Sequence, residues 1–437
     1  MKNAKSKAVE FLKSCHMEHE EIDFESCSNI FLEDMEMGLK GLESSLKMIP
    51  TYIDVERNIP VEEPVVVLDA GGTNFRVASV YFNREGRPVI EKFKMLKMPG
   101  VDSHVSKEEF FNTIADYMSD HLDVSHRIGF CFSYPVEILP DKDGILVHFS
   151  KEIKATEVIG ERIGSNLVSA IRSKGVKDKK HIVLLNDTVA TLLAGRSAFK
   201  DRLFDSYVGF ILGTGTNCCY IEKNRNIKKK KDLDADKYQI INVESGGFTK
   251  QPRGTVDIEM DSSTANPGDY TFEKMISGAY FGMLCLSTLK TASRDGLFSR
   301  AASERLQSIS ELGTKAVNDF MLYPARGDNQ LAAAVGPGLE DDREVLYHLF
   351  DRLIERAAKL SAVNLSSVVL KSGKGQNPCY PVCITADGST FYGLKTLRQK
   401  IEYYMKKYLV DLHGRWFEFV SVENAPLIGA AIAGLTN

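Results

Sequence analysis

Residues 67–77 read VLDAGGTNFRV: an apolar run, an aspartate, two glycines and a threonine, then a second strand-prone run. Glycine lets the backbone enter otherwise costly conformations and lets a phosphate lie close to main-chain N–H groups. A carboxylate at the end of the first run suits a hydrated Mg²⁺, which is commonly held through one carboxylate, phosphate oxygens and retained waters. The stretch lacks the GxGxxG of dinucleotide folds, and no GxxxxGK[ST] occurs in the chain. A plain hairpin accounts for Gly71 and Gly72, but not for the company of Asp69, Thr73, Asn74 and Arg76. Arg76 is expected to orient a phosphate or to brace the turn.

Outward from this turn, HRIGFCFSYP at 126–135 and HIVLLND at 181–187 read as buried strands, and TVATLLAG follows the second as a small-residue helix. SYVGFILGTGTNCCYIE at 206–222 repeats the first pattern: apolar strand, glycine turn, strand. The two glycine turns lie about 140 residues apart, a separation that suggests two lobes facing one cleft rather than a solenoid. Helical patterns between them favour mixed α/β layers. In the first 60 residues, Leu32, Met35, Leu39, Leu42 and Leu46 recur three or four apart as one helical stripe, which Pro50 is expected to stop. Leu394, Leu397, Ile401, Tyr404 and Tyr408 mark a later amphipathic helix, and APLIGAAIAGL at 425–435 offers small residues for close packing. The basic run RNIKKKKD at 225–232 reads as a solvated loop, with contact to an anionic partner as the alternative.

With 437 residues, of which 43% are hydrophobic, the chain can bury one large core or two moderate ones. A formal charge of −4 gives no nucleic-acid footprint. No apolar stretch reaches bilayer length and the N-terminal segment has no signal-peptide core, so no membrane partner and a cytoplasmic location are expected. Eight cysteines without a CxxC pair fit buried thiols in a reducing compartment, Cys218 and Cys219 among them. Nine scattered histidines without HExxH give no zinc signature, and His16 and His19 read as surface residues.

In order along the chain stand LDAGGTNFRV, FSYP, FSKEI, LNDTVATLLAG, GTGTNCCYIE, NVESGGF, FEKMISGAYFG and ADGSTF. From about residue 60 to the C-terminus this series resembles the hexokinase family, ATP-dependent sugar kinases of the actin-like ATPase superfamily. The resemblance implies an α/β fold of the actin-like two-lobed ATPase (ribonuclease-H-like) type, hexokinase form. It divides the chain into 1–61, an N-terminal helical segment on the large lobe; 62–185, the small lobe; 186–420, the large lobe; and 421–437, a helix returning to the small lobe.

The resemblance also implies the chemistry. The γ-phosphate of ATP passes to the 6-hydroxyl of glucose or a related hexose, with Asp187 as general base and Lys151 as a catalytic cation. Ser133, Ser150, Lys151, Asn186, Asp187, Asn217, Glu244 and Glu273 form the sugar set; carboxylates and amides suit a polyol because they accept its hydroxyl protons. Asp69, Gly71, Gly72, Thr73, Asn74 and Arg76 with Gly213, Thr214, Gly215 and Thr216 flank the phosphates, and Asp387, Gly388 and Ser389 approach the nucleotide. Asp69 and Asp187 organise Mg²⁺ through water. Alternative readings stand beside these: Asp187 as a helix cap, Glu273 as a surface acid, and a sugar-responsive regulatory protein or a sugar-independent ATPase on the same scaffold. Departures from the family pattern are Phe149-Ser150 for a Trp-Thr pair, Ser245 for a tryptophan, and VENAPLIGAAIAG at 422–434 for a Gly-Ser-Gly element near adenosine. Glucose is the first expected substrate; self-association is left open.

Overall fold

The computed structural model describes residues 3–149, 153–198 and 202–437. Thirteen strands occur among them: β1 (Ile49–Asp54), β2 (Val65–Ala70), β3 (Asn74–Phe82), β4 (Pro88–Lys97), β5 (Arg127–Phe132), β6 (Val136–Ile138), β7 (Gly144–Leu146), β8 (His181–Leu185), β9 (Ser206–Leu212), β10 (Thr216–Lys223), β11 (Tyr238–Asn242), β12 (Val382–Asp387) and β13 (Phe417–Val420). They form a five-stranded sheet in the order β4-β3-β2-β5-β8, a six-stranded sheet in the order β1-β11-β10-β9-β12-β13, and a small ribbon of β6 and β7.

Both large sheets carry a glycine hairpin as expected, β2 with β3 and β9 with β10, each antiparallel. All six residues of β2 are buried, because the strand is central and covered on both faces. β2, β5 and β8 run parallel, with Asp69 opposite Cys131 and Cys131 opposite Leu185. Their carboxyl ends therefore finish along one edge, where Asp69, Ser133, Asn186 and Asp187 follow. In the other sheet β12 runs parallel to β9, with Asp387 opposite Ile211, and delivers its own end beside the turn after Leu212. Topology alone thus gathers the sequence motifs, since ligands of open α/β sheets collect at strand carboxyl ends.

The N-terminal helices Ala4–Ser14 and Phe24–Lys40 lie on the long helix Glu340–Ser372. Ser28 meets Ser367 (Oγ to Oγ 2.9 Å), while Arg352 clamps the buried Glu18. The helix stripe ends earlier than the leucine spacing predicts. Gly41 adopts φ +73° as a left-handed cap, Leu42 is exposed, and Leu46 is buried from the following loop. Pro50 lies in the edge strand β1, where a missing N–H is tolerated. The later amphipathic stripe is also split: Leu397–Met405 is α-helical, and Lys406–Leu412 continues as a π-helix. The basic run is a loop, although Lys229 docks inward, with its N–H on Leu39 O and Nζ on Lys47 O at 2.7 Å.

The C-terminal helix Ala425–Thr436 is buried on nearly every residue and lies across β5, β2 and the helix Asp187–Ala198. Its small residues permit backbone contact. A Cβ on Gly429 would sit 1.9 Å from the carbonyl oxygen of Ala190, and one on Gly129 would sit 1.8 Å from that of Ala430. Helix propensity favours Gly429→Ala by about 1 kcal/mol, whereas overpacking a close-packed contact costs about 1–3 kcal/mol and more where backbone must move. The packing term wins. Gly429→Ala should lower the melting temperature of the purified protein, and an unchanged or raised value would show that the helix can shift to admit a methyl group.

Candidate active site

The phosphate-side turn begins with Asp69, 4% exposed, whose Oδ2 accepts from Arg76 Nη1 at 3.2 Å. The β2–β3 register sets this pair, because Asp69 stands opposite Arg76. Burial raises the Asp69 carboxyl above its ordinary range; Arg76 and the Cys131 thiol oppose the rise, and Asp387 adds to it. Gly72 adopts φ +130°, and its carbonyl accepts from Tyr134 Oη at 2.5 Å. Among the described residues, the N–H groups of Gly72 and Thr73 meet no protein acceptor. Asn74 is exposed and opens β3.

The second turn is built alike. Gly213 N–H closes onto Gly215 O at 2.9 Å, while the carbonyls of Gly213 and Thr214 are held by Gly278, Ala279 and the Thr390 hydroxyl. The N–H groups of Thr214 and Gly215 meet no acceptor among the described residues. Gly388 is fixed at φ +120°, where a Cβ would lie 2.3 Å from Leu212 O, so β12 can abut this turn only through glycine. Asp387 Oδ1 accepts the Gly388 N–H at 2.7 Å, and Ser389 is exposed at the following helix start. Thr216, assigned by sequence to the phosphate side, is already hydrogen-bonded within the protein. Its N–H is spent on Glu273 Oε2 at 2.9 Å and its hydroxyl on Ile211 O at 3.0 Å.

Asp187 is the first residue of the helix Asp187–Ala198 at the end of β8. Asn186 supplies the capping oxygen, accepting from Thr188 N–H at 2.8 Å, and Asp187 Oδ1 accepts the same N–H at 2.7 Å. Asp187 keeps part of its surface open to the cleft, yet the protein around its carboxyl pushes its pKa up to about 6. Burial is the main cause and Asp69 adds to it, against the favourable Thr188 N–H and nearby Ser133. Among the described residues the buried Ser133 hydroxyl meets no well-aligned hydrogen-bond partner, and it lies near enough to Asp187 to favour the ionised carboxylate.

On the acceptor side, Asn217 Oδ1 accepts from the N–H groups of Cys218 (2.7 Å) and Ser245 (3.3 Å), which turns its Nδ2 toward Asn242 Oδ1 and Glu244 Oε1 at 2.8 and 3.2 Å. Asn242 Nδ2 reaches the same Glu244 oxygen at 2.7 Å. Glu244 itself is left-handed (φ +59°, ψ +48°), a backbone state that costs a side-chain-bearing residue roughly 1–2 kcal/mol and persists where surroundings impose it. Glu273 is no surface acid. Gly215 and Gly246 make room for its carboxylate, since a Cβ on either would lie 2.6 and 3.1 Å from Oε2, and burial raises its pKa. Lys274 pins the preceding loop from inside through Asp261 Oδ1 (2.6 Å) and Thr264 Oγ1 (2.8 Å). Asn242 escaped the sequence reading, although its place two residues before Glu244 was a usable signal of a shared strand face. Ser150 and Lys151 lie outside the described residues; the preceding Phe149 packs edge-on against Tyr134, ring centroids 5.0 Å apart.

Two sheets with facing glycine hairpins, and carboxylates gathered at the strand ends between them, define a two-lobed actin-like ATPase fold carrying a phosphoryl-transfer cleft. Hexokinase family models match residues 7–197 and 207–436. The chain is 32% identical over 381 residues to Hexokinase-5 of Oryza sativa subsp. japonica, covering 80% of this chain and 73% of that protein. It is 29% identical over 402 residues to Glucokinase-1 of Kluyveromyces lactis, covering 82% and 83%. The structure of a hexokinase from Schistosoma mansoni complexed with glucose superposes with a TM-score of 0.78 at 26% identity, covering 99% of this chain and 98% of that one. The chain belongs to the hexokinase family, and it is an enzyme that transfers phosphate from ATP to a hexose.

The raised Asp187 pKa has a consequence for stability. An unfolded aspartate titrates near 3.8, so burial of the ionised form is a penalty fully present above about pH 6 and relieved as pH falls toward 3.8. In magnesium-free buffer, Asp187→Asn should therefore stabilise the folded protein at pH 7.5 by on the order of 1–2 kcal/mol, a value discounted for the surface left open to the cleft. The gain should shrink between about pH 6 and 4. Denaturant titrations at several pH values check this; a gain independent of pH would place its origin outside the carboxyl.

Proposed function

We propose that this enzyme transfers the ATP γ-phosphate to the 6-hydroxyl of a hexose, glucose first, with Asp187 as general base. The observation that carries the proposal is the Asp187 carboxyl, held at a helix start and open to the cleft, with a pKa of about 6. A base so poised is ionised at neutral pH yet accepts a proton readily. As the hydroxyl oxygen attacks, its proton passes to the oxygen of Asp187 that faces the cleft, while Thr188 N–H holds Oδ1.

Asn217, Glu244, Glu273, Asn186 and Ser133 would bind the ring hydroxyls. Glu244 and Glu273 accept protons from them, and the Asn186 amide nitrogen, on the side away from its capping oxygen, donates. Lys151, with Ser150, is assigned by sequence to the space between sugar and phosphate. Gly72, Thr73, Thr214 and Gly215, whose N–H groups meet no acceptor among the described residues, would offer them to the phosphates, and Asp387, Gly388 and Ser389 would border the nucleotide. Asp69 and Asp187 suit a magnesium ion held through water. Burial raises both carboxyls and Asp69 raises Asp187 further, a pairing that a hard cation would neutralise. When bound, that ion neutralises charge on the transferring phosphate.

The lobes would divide at 62, 185 and 420, with 1–61 on the large lobe and 421–437 returning to the small one. Closure would exclude water that competes for the phosphate. Among the described residues no helix is long and apolar enough to cross a membrane, and eight free thiols suit the reducing cytoplasm.

A coupled assay across glucose, mannose, fructose and glucosamine tests the substrate assignment; absence of hexose-dependent ADP release from folded protein would overturn it. Asp187→Ala should lower kcat by roughly 10²–10⁴-fold or more while the circular dichroism spectrum stays native. Turnover near that of the parent enzyme would remove Asp187 from the chemistry. Glu244→Gln should raise the sugar KM well above any change in the ATP KM, and identical sugar kinetics would contradict its placement.

A further inference from the structure

The long helix Glu340–Ser372 carries one asparagine into the apolar interior. Asn364 is wholly buried, and both ends of its amide are engaged. Its Oδ1 accepts from the Cys218 thiol at 3.2 Å, and its Nδ2 donates to Ser245 Oγ at 3.3 Å. Ser245 is itself wholly buried, as is Cys218. Cys218 immediately follows Asn217, and Ser245 immediately follows Glu244. One amide therefore spans the residues next to two acceptor-side groups, which stand on β10 and at the end of β11.

The same two residues converge again through their backbone. The N–H groups of Cys218 and Ser245 both point at Asn217 Oδ1, and this fixes which face of that amide meets Glu244. Glu244 occupies a left-handed backbone state immediately before the short turn Ser245–Gly247, where its carbonyl accepts from Gly247 N–H at 3.0 Å. Such a state persists only where the neighbourhood imposes it. Three small polar side chains in a buried interior are directional in a way that apolar residues of equal size are not, because a buried amide left unpaired is costly and a paired one tolerates little displacement.

We infer that Asn364, acting through Ser245 and Cys218, is a positioning residue for the sugar: it holds Asn217 and Glu244 at the spacing and backbone geometry the acceptor requires. The inference rests on the assignment of those two residues to the acceptor. It adds a residue on a different element, 120 positions beyond Glu244 in the chain. Asn364 touches no substrate; its effect falls on sugar recognition rather than on phosphate transfer.

The experiment uses the full chain and glucose with saturating magnesium ATP. Asn364→Leu and Ser245→Ala, each confirmed as folded by thermal melting, should raise the glucose KM about tenfold, the effect of losing roughly one buried hydrogen bond. The ATP KM and kcat should stay within about twofold of the parent enzyme, which separates loss of sugar positioning from general loosening. The double variant should be little worse than either single one, because both remove the same contact. If Asn364→Leu does not fold, Ser245→Ala decides alone. Glu244→Gln runs in parallel. If it raises the glucose KM while the folded Asn364→Leu and Ser245→Ala proteins do not, the positioning role is overturned and the acceptor assignment stands. If Glu244→Gln leaves the glucose KM unchanged, the acceptor assignment falls and this role with it. Glucose and ATP KM rising together in the Asn364 and Ser245 variants would likewise overturn the inference.

Discussion

The pairing of β2 on both of its edges places the charges of the cleft. Its antiparallel partner β3 brings Arg76 opposite Asp69, and its parallel partner β5 brings Cys131 to the same level on the other side. A slip of one residue in either pairing would turn Asp69 to the opposite face of the sheet. The continuous apolar run Val65–Leu68 resists such a slip only in part, because a strand buried on both faces has no polar side to betray its register. The glycine turn supplies the missing specification. It fixes where β3 begins, and the parallel order of β5 and β8 then carries Ser133, Asn186 and Asp187 to the same edge.

Electrostatic tension in the free enzyme follows from that alignment. Burial is the main cause of the raised pKa of both Asp69 and Asp187, and Asp69 pushes Asp187 up further while Asp387 does the same to Asp69. Arg76 answers only one of them. On the acceptor side the same problem is solved with amides and glycines: Asn217 and Asn242 donate to Glu244, while Gly215 and Gly246 give Glu273 its room. Among the described residues, the Asp69–Asp187 side thus carries raised carboxyls answered by Arg76 alone, whereas the Glu244 side is satisfied by amide donors.

Much of this was legible in the chain because the decisive signals are local. A strand–glycine–strand pattern folds as a hairpin wherever it occurs, and Asn186-Asp187 at the end of an apolar run must emerge at a strand end. What escaped depends on contacts between distant segments. The leucine stripe ran on past the helix because period alone does not register the left-handed Gly41. Thr216 looked identical in sequence to a phosphate ligand, and only the approach of Glu273 from the helix Thr271–Ile276 shows that its N–H is already committed. Asn242 and Asn364 carry no motif; their roles arise from the pairing of β10 with β11 and from the packing of the long helix beneath them.

The C-terminal helix has a bearing on how the molecule comes into being. It covers the face of β2 and β5 through backbone-to-backbone contact at Gly129 and Gly434, so no other segment of similar bulk can stand in for it. During synthesis the strands of the five-stranded sheet leave the ribosome early, while the helix that seals them is not made until residue 436 has been added. Between those moments an apolar sheet face waits uncovered across some 240 further residues of translation after β8. The lobe is therefore completed only when the last helix settles against Ala190, and until then its exposed apolar face is open to the misassociation that connectivity of this kind invites.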